Sequence, residues 1–205
     1  MIEPDSITVK GLQSGKFLGT LPELYELEEV TENNKWHNHD SVFSHTISVL
    51  KNLERLLKKN PLPVSRRLQK IIGKHSSRQL LFLAAVLHDI AKKETIIRHF
   101  LKTDCPHHEE KGAVKSKKIL RRFGLSAKEK EFVTSLVRFH GEAHTMVNMG
   151  KKSFEKFRNR HKSAFIELVL LIMADQSGSQ LKQNNPAEFK RRILFYRQIL
   201  RSYKS

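Results

Sequence analysis

Six side chains able to hold a divalent cation, His45, His88, Asp89, His108, His140 and Asp175, lie where apolar helical runs would carry them inward. Imidazole nitrogen and carboxylate oxygen are donors that transition-metal ions accept, so their convergence would make a metal centre. Taken singly, each has a plainer reading. A histidine on an apolar stripe can be a core residue with its hydrogen bonds met, and an acid can pair with a lysine, as Asp89 could with Lys92. The two acids resist that reading best. Asp89 and Asp175 each follow an apolar run, toward the end of a helix where the macrodipole disfavours negative charge. Burying a carboxylate there is costly without a partner cation, and one divalent ion would answer for both.

Such a centre needs helices at definite places. From Ser41 to about Lys59, Val42, Val49, Leu53 and Leu56 form one stripe with His45 on it, and Pro61 and Pro63 end the helix. A second helix is expected from Ser77 through Lys93, apolar on every side over Leu80 to Leu87 before it meets His88 and Asp89. Asp104 and Pro106 supply the capping and first-turn chemistry of a helix from His107 to Phe123, stopped by Gly124, with His107 and His108 in its first turn. Ser126 and Glu129 have capping-box spacing and open a helix to about His140, which lies on the apolar face of Leu136 and Val137.

Residues 146–162 read as a basic loop holding one helical turn. Nine of the ten residues from Phe165 to Ala174 are apolar, which predicts a buried helix running into Asp175, and a last helix spans about Pro186 to Tyr203. Residues 1–40 read as an extended start, a turn through Gly11, Gly15 and Gly19, and a short helix from about Pro22 to Val30. The expected fold class is all-α: one helical bundle over 41–205, with 1–40 as an extension packed on it. Strand-like alternation is confined to the first ten residues.

Lysine and arginine number 38 against 21 acids, a net charge of +17 in 205 residues. That balance suits a polyanionic partner, or it solvates exposed helix faces. The segment Lys151 to Lys162 concentrates it, with Lys151, Lys152, Lys156, Arg158, Arg160 and Lys162 against Glu155, and Phe154 and Phe157 interleaved. It reads either as a phosphate-tracking surface or as a segment anchored by its phenylalanines with the charges in water. The lone Cys105 rules out an internal disulfide and a zinc ribbon and fits a reducing compartment. The first ten residues carry Glu3 and Asp5 and lack an apolar signal core, and the longest apolar run, Leu80 to Leu87, is far short of the roughly 20 residues of a membrane span. A cytoplasmic protein without a membrane partner is expected.

The ordered set resembles the H, HD, D pattern of the HD-domain superfamily of metal phosphohydrolases. Leu87-His88-Asp89-Ile90-Ala91-Lys92, His108-Glu109-Glu110-Lys111-Gly112-Ala113 and Ala174-Asp175 are similar to its HDxxK, HxxxGA and AD segments, in the same order. Leu21-Pro22-Glu23-Leu24, Trp36-His37 and the run Val42, His45, Thr46, Val49 and Leu50 resemble the entry to the carboxyl-terminal HD domain of bacterial tRNA nucleotidyltransferases. No glycine-rich turn followed by paired strand carboxylates occurs in the sequence, so nucleotide addition is not expected, and the chain reads as a free-standing HD domain.

The resemblance implies an ion on His45, His88, Asp89 and Asp175 and a second on His108 and His140, with Asp89 bridging. A water activated between them would attack a phosphate mono- or diester of a nucleotide, a cyclic nucleotide or an RNA end, with no serine or cysteine nucleophile. Asp89 and Lys92 would be the catalytic side chains; Lys92 would offset charge on the phosphoryl oxygens, or else be a surface lysine. Four histidines and two carboxylates suit manganese, iron, cobalt, nickel or zinc better than magnesium. Gly141 stands where some members have a histidine following the one matched by His140, which would leave the second ion weaker or missing. Substrate or nucleic-acid contacts are assigned to His37, Arg138, His144, Lys151, Lys152, Arg158 and Arg160. The alternative is an RNA- or tRNA-binding module whose metal site is structural.

Overall fold

The computed structural model describes residues 1–204. The amino-terminal segment starts extended, with Ile2 bridging to Phe123, and then turns helical: Thr8 accepts from Gly11 N and opens α1 (Val9–Gln13), and Pro22 begins α2 (Pro22–Tyr25). Val9, Leu12, Phe17, Leu21, Leu24 and Leu27 are buried in the same apolar cluster as the later helices. Residues 31–41, where no strand is expected from the sequence, form an antiparallel hairpin of β1 (Thr31–Asn34) and β2 (His37–Ser41). Its polar residues lack the alternation that marks a half-buried strand, and contacts outside the pair hold it; Asn33 N donates to Thr103 Oγ1 at 2.8 Å.

Ser41 then caps α3 (Val42–Leu57), and α4 (Leu62–Leu68) follows the proline-rich break. A complete capping box between Ser76 and Gln79 starts α5 (Ser77–Leu87). That helix stops six residues before its expected end at Lys93. The chain tightens into turns in which Ile90 N donates to Leu87 O and Lys92 N to Asp89 O, and resumes as α6 (Lys92–Thr95). Asp89 lies within these turns and is buried.

A small pair, β3 (Ile97–Arg98) and β4 (Thr103–Asp104), leads to α7 (His108–Ile119), and a second capping box, Ser126 with Glu129, starts α8 (Ala127–His144). Most of residues 146–162 are helical where a loop with one helical turn is expected: α9 spans Lys151–Arg160. Its apolar face has only Phe154 and Phe157, three apart, too few to give a period in sequence. Phe157 is buried and Phe154 meets Phe165 and Phe195, so tertiary packing supplies what propensity does not. The chain ends in α10 (Phe165–Gly178), α11 (Leu181–Asn184) and α12 (Pro186–Ser202).

The architecture is all-α, with α5 and α10 buried on nearly every side and α3, α8 and α12 packed around them. Each fully buried leucine in that centre contributes roughly 1.5–3 kcal/mol of transfer free energy. Among the described residues no helix is long and apolar enough to cross a membrane.

Candidate metal centre

The helices meet where the donors are. At Gly178 a β-carbon would lie only 2.8 Å from Val49 N, so glycine is what lets α10 approach α3 closely. About one turn earlier on each helix, His45 Nε2 lies 2.8 Å from Asp175 Oδ1. His88 and Asp89 come from the end of α5, His108 from the first turn of α7 and His140 from the buried face of α8.

All six side chains converge, with Asp89 between two sets. His45, His88 and Asp89 form one triad and Asp89, His108 and His140 another, the donor atoms of each lying within 4.8 Å of one another. The carboxylate divides its oxygens between them. Oδ2 is 3.1 Å from His88 Nε2 and 3.8 Å from His45 Nε2; Oδ1 is 3.4 Å from His108 Nε2 and 3.7 Å from His140 Nε2. Asp175 joins the first set through His45.

The chemistry of the donors fits a cation. Nδ1 of His88, His108 and His140 donates to the carbonyls of Ala85, Cys105 and Val137 at 2.8, 2.7 and 2.7 Å. A proton committed there leaves a lone pair on each Nε2, the arrangement that presents imidazole to a metal. His88 Nε2 is buried and has no hydrogen-bond partner, while those of His108 and His140 face each other at 3.3 Å. Nε2 atoms held against one another and against a carboxylate call for a proton or a metal cation among them.

Charge around the centre is tightly compensated. Burial opposes ionisation of Asp89, but His88, Lys92 and His140 outweigh it and hold the carboxyl well below the usual range. Burial likewise opposes the charge on Asp175, and His144 and His45 overcome it. Lys92 is no surface lysine: it is 6% exposed, with Nζ 2.9 Å from Asp89 Oδ2 and 2.6 Å from Glu32 Oε2. The ion pair foreseen as the plain reading of Asp89 therefore exists beside the histidine set. Burial disfavours the ammonium, and Asp89 and Glu32 more than restore it, raising its pKa.

A cavity of about 280 Å³ opens onto this cluster. Of the residues assigned to substrate from sequence, His37 and His144 line it. His37 is pushed down to about 2 by burial and then by His45 and Lys92, so it stays neutral. His144 Nε2 donates to Asp175 Oδ2 at 2.6 Å, and the amide of Gln176 meets its Nδ1 at 3.0 Å.

The other five lie elsewhere. Arg138 pairs with Glu110 at 3.0 Å and Arg160 with Glu142 at 2.8 Å. Arg158 and Arg160 border a separate cavity of about 960 Å³ together with Arg67, Lys70 and Lys162, and Lys151 and Lys152 are exposed on α9. The phenylalanines of that segment face the core.

Sequence reasoning missed Glu32, Cys105 and Gln176, which also line the cavity. Glu32 had no signal, because its burial depends on the hairpin. Burial, reinforced by Glu32, pushes the Cys105 thiol up to about 12, so it is no thiolate nucleophile at neutral pH.

Known proteins share this pattern. The family model described as HD domain matches residues 42–177. A bifunctional uridylyltransferase/uridylyl-removing enzyme of Novosphingobium aromaticivorans is 30% identical over 141 residues, 67% of this chain and 14% of that protein. One from Cereibacter sphaeroides is 32% identical over 123 residues, 58% of this chain and 12% of that protein. A multifunctional CCA protein of Pasteurella multocida is 24% identical over 166 residues, 77% of this chain and 35% of that protein. The chain thus spans between 12% and 35% of the length of these relatives. The tRNA-enzyme resemblance expected from the entry motifs is met, and uridylyl-removing proteins stand beside it. With all six donor side chains inside a match that covers more than half of its length, the chain belongs to the HD domain family, a superfamily of metal-dependent phosphohydrolases.

Proposed function

We propose that this protein hydrolyses a phosphate mono- or diester of a nucleotide, a cyclic nucleotide or an RNA end. The observation that carries this reading is the division of Asp89, one oxygen toward His45 and His88 and the other toward His108 and His140. His45, His88, Asp89 and Asp175 would hold one divalent ion, and His108 and His140, with Asp89, a second. Bound there, such ions lower the pKa of water and polarise phosphoryl oxygens.

The remaining side chains prepare the site. His144 fixes Asp175 by donating to Oδ2, which leaves Oδ1 directed at His45. Lys92, a three-donor ammonium with Glu32 and Asp89 as partners, keeps positive charge at the cavity wall, where it offsets charge gathering on the phosphoryl group. Neutral His37 borders the same space without adding charge.

The donor set favours manganese, iron, cobalt, nickel or zinc over magnesium. The cationic wall of Arg67, Lys70, Arg158, Arg160 and Lys162 attracts the anionic partner from outside the reacting centre, and Arg138, Lys151 and Lys152 add to the same field. That wall also supports the second reading, an RNA- or tRNA-binding module.

A panel of nucleotides, cyclic nucleotides, RNA oligomers and aryl phosphates, each with manganese, iron, nickel or magnesium supplied separately, tests the proposal. Turnover that needs a transition metal is expected. Tight, steeply salt-dependent RNA binding with no turnover by any metal would leave the binding module as the function.

A further inference from the structure

Gly141 lies inside α8, where glycine is disfavoured relative to alanine, and its backbone is ordinary helix. What occupies its missing side chain is Glu109: a β-carbon at 141 would overlap Glu109 Oε1 and come within 2.6 Å of Cδ and 3.0 Å of Cγ. The Glu109 carboxylate lines the metal cavity with His108, His140 and Gly141. Its nearest basic neighbour is His108 Nδ1, at 3.4 Å from Oε2, and that nitrogen already donates to Cys105 O. Among the described residues no donor hydrogen-bonds to this carboxylate, which stands free at the cavity wall beside the second triad.

We infer that Glu109 belongs to the outer coordination shell of the second ion, accepting a hydrogen bond from its bound water, and that glycine at 141 exists to admit it. The carboxylate stands outside the 4.8 Å set of Asp89, His108 and His140, so it reaches the ion through water rather than by direct ligation. It also answers the missing histidine at 141. The second site loses an imidazole and gains an anionic acceptor, supplied from α7 instead of α8. This inference rests on the metal-hydrolase reading of the same centre.

Calorimetric titration of metal-free protein with Mn²⁺ alone tests it. Wild-type protein takes up two ions. Glu109→Gln keeps the first affinity and weakens the second about 10- to 100-fold, the usual effect of removing an outer-shell partner. Gly141→Ala does the same, because the methyl group evicts the carboxylate from a helix that alanine otherwise favours, and the double variant is no worse than either single one. Melting of the metal-free variants at the wild-type temperature separates this from a folding defect, and Glu109→Gln decides alone should Gly141→Ala melt early. Wild-type affinity for both ions in Glu109→Gln overturns the inference, and so does uptake of a single ion by the wild type. Two Glu109-dependent ions in a protein that hydrolyses nothing would end the hydrolase reading and leave this inference standing.

Discussion

The Nε2 atoms of His108 and His140 lie 3.3 Å apart, on rings whose other nitrogens already donate to backbone carbonyls. Only a proton or a metal cation can sit between two such lone pairs. Burial opposes the charge on His140, but Asp89 outweighs it and raises the ring above the ordinary imidazole value, while burial lowers His108. Mn²⁺ uptake is therefore expected to displace a proton from His140 and to weaken as pH falls. Calorimetry in buffers of different ionisation enthalpy reads the protons directly. Affinity unchanged from about pH 8 down through the ordinary imidazole value of about 6.5 would mean that His140 is not a ligand.

Asp89→Asn preserves shape and removes the charge that both triads share. Ion uptake and turnover should each fall by at least about 100-fold, with helical circular dichroism unchanged. Retained turnover in this variant would remove Asp89 from the reacting centre.

Lys92 sits between Glu32 and Asp89, all three buried. Lys92→Met should cost about 3–5 kcal/mol of stability by leaving buried carboxylates unpaired. Adding Glu32→Gln should recover part of that loss. Urea unfolding of the single and double variants gives the coupling, expected at about 0.5–3 kcal/mol; strict additivity would show that the pair is not energetically linked.

His45, His140 and Asp175 were legible in the sequence because each is carried by an apolar run whose helical period fixes the buried face. The division of Asp89 oxygens between two triads was not, since it depends on where α3, α7 and α8 bring their histidines and not on any period. Glu32 was invisible for a similar reason: the strand pairing and the contact to Thr103 that hold it against Lys92 are both non-local. The basic segment after Met149 was legible in charge but not in form. Of its two phenylalanines, Phe157 is buried and Phe154 packs on Phe165 and Phe195, contacts that no local period announces.

Glu129 offers a pH test away from the metal centre. Burial opposes its ionisation, but hydrogen bonds from Ser126 and His75 overcome that and lower its pKa to about 2. An unfolded glutamate titrates near about 4.3, so this carboxylate stabilises the fold above that value and the contribution fades as pH falls toward 2. Glu129→Gln should flatten the stability profile over that window and lower stability at neutral pH. An unchanged acid limb in unfolding experiments would refute the linkage.

Helix spacing at Gly178 is set by the absence of a single carbon, at a residue that carries no donor atom. A methyl group there would act as a wedge between α3 and α10, prying His45 from Asp175 from outside the reacting centre. In a mutational survey, position 178 should consequently behave like a ligand position although it has no chemistry of its own.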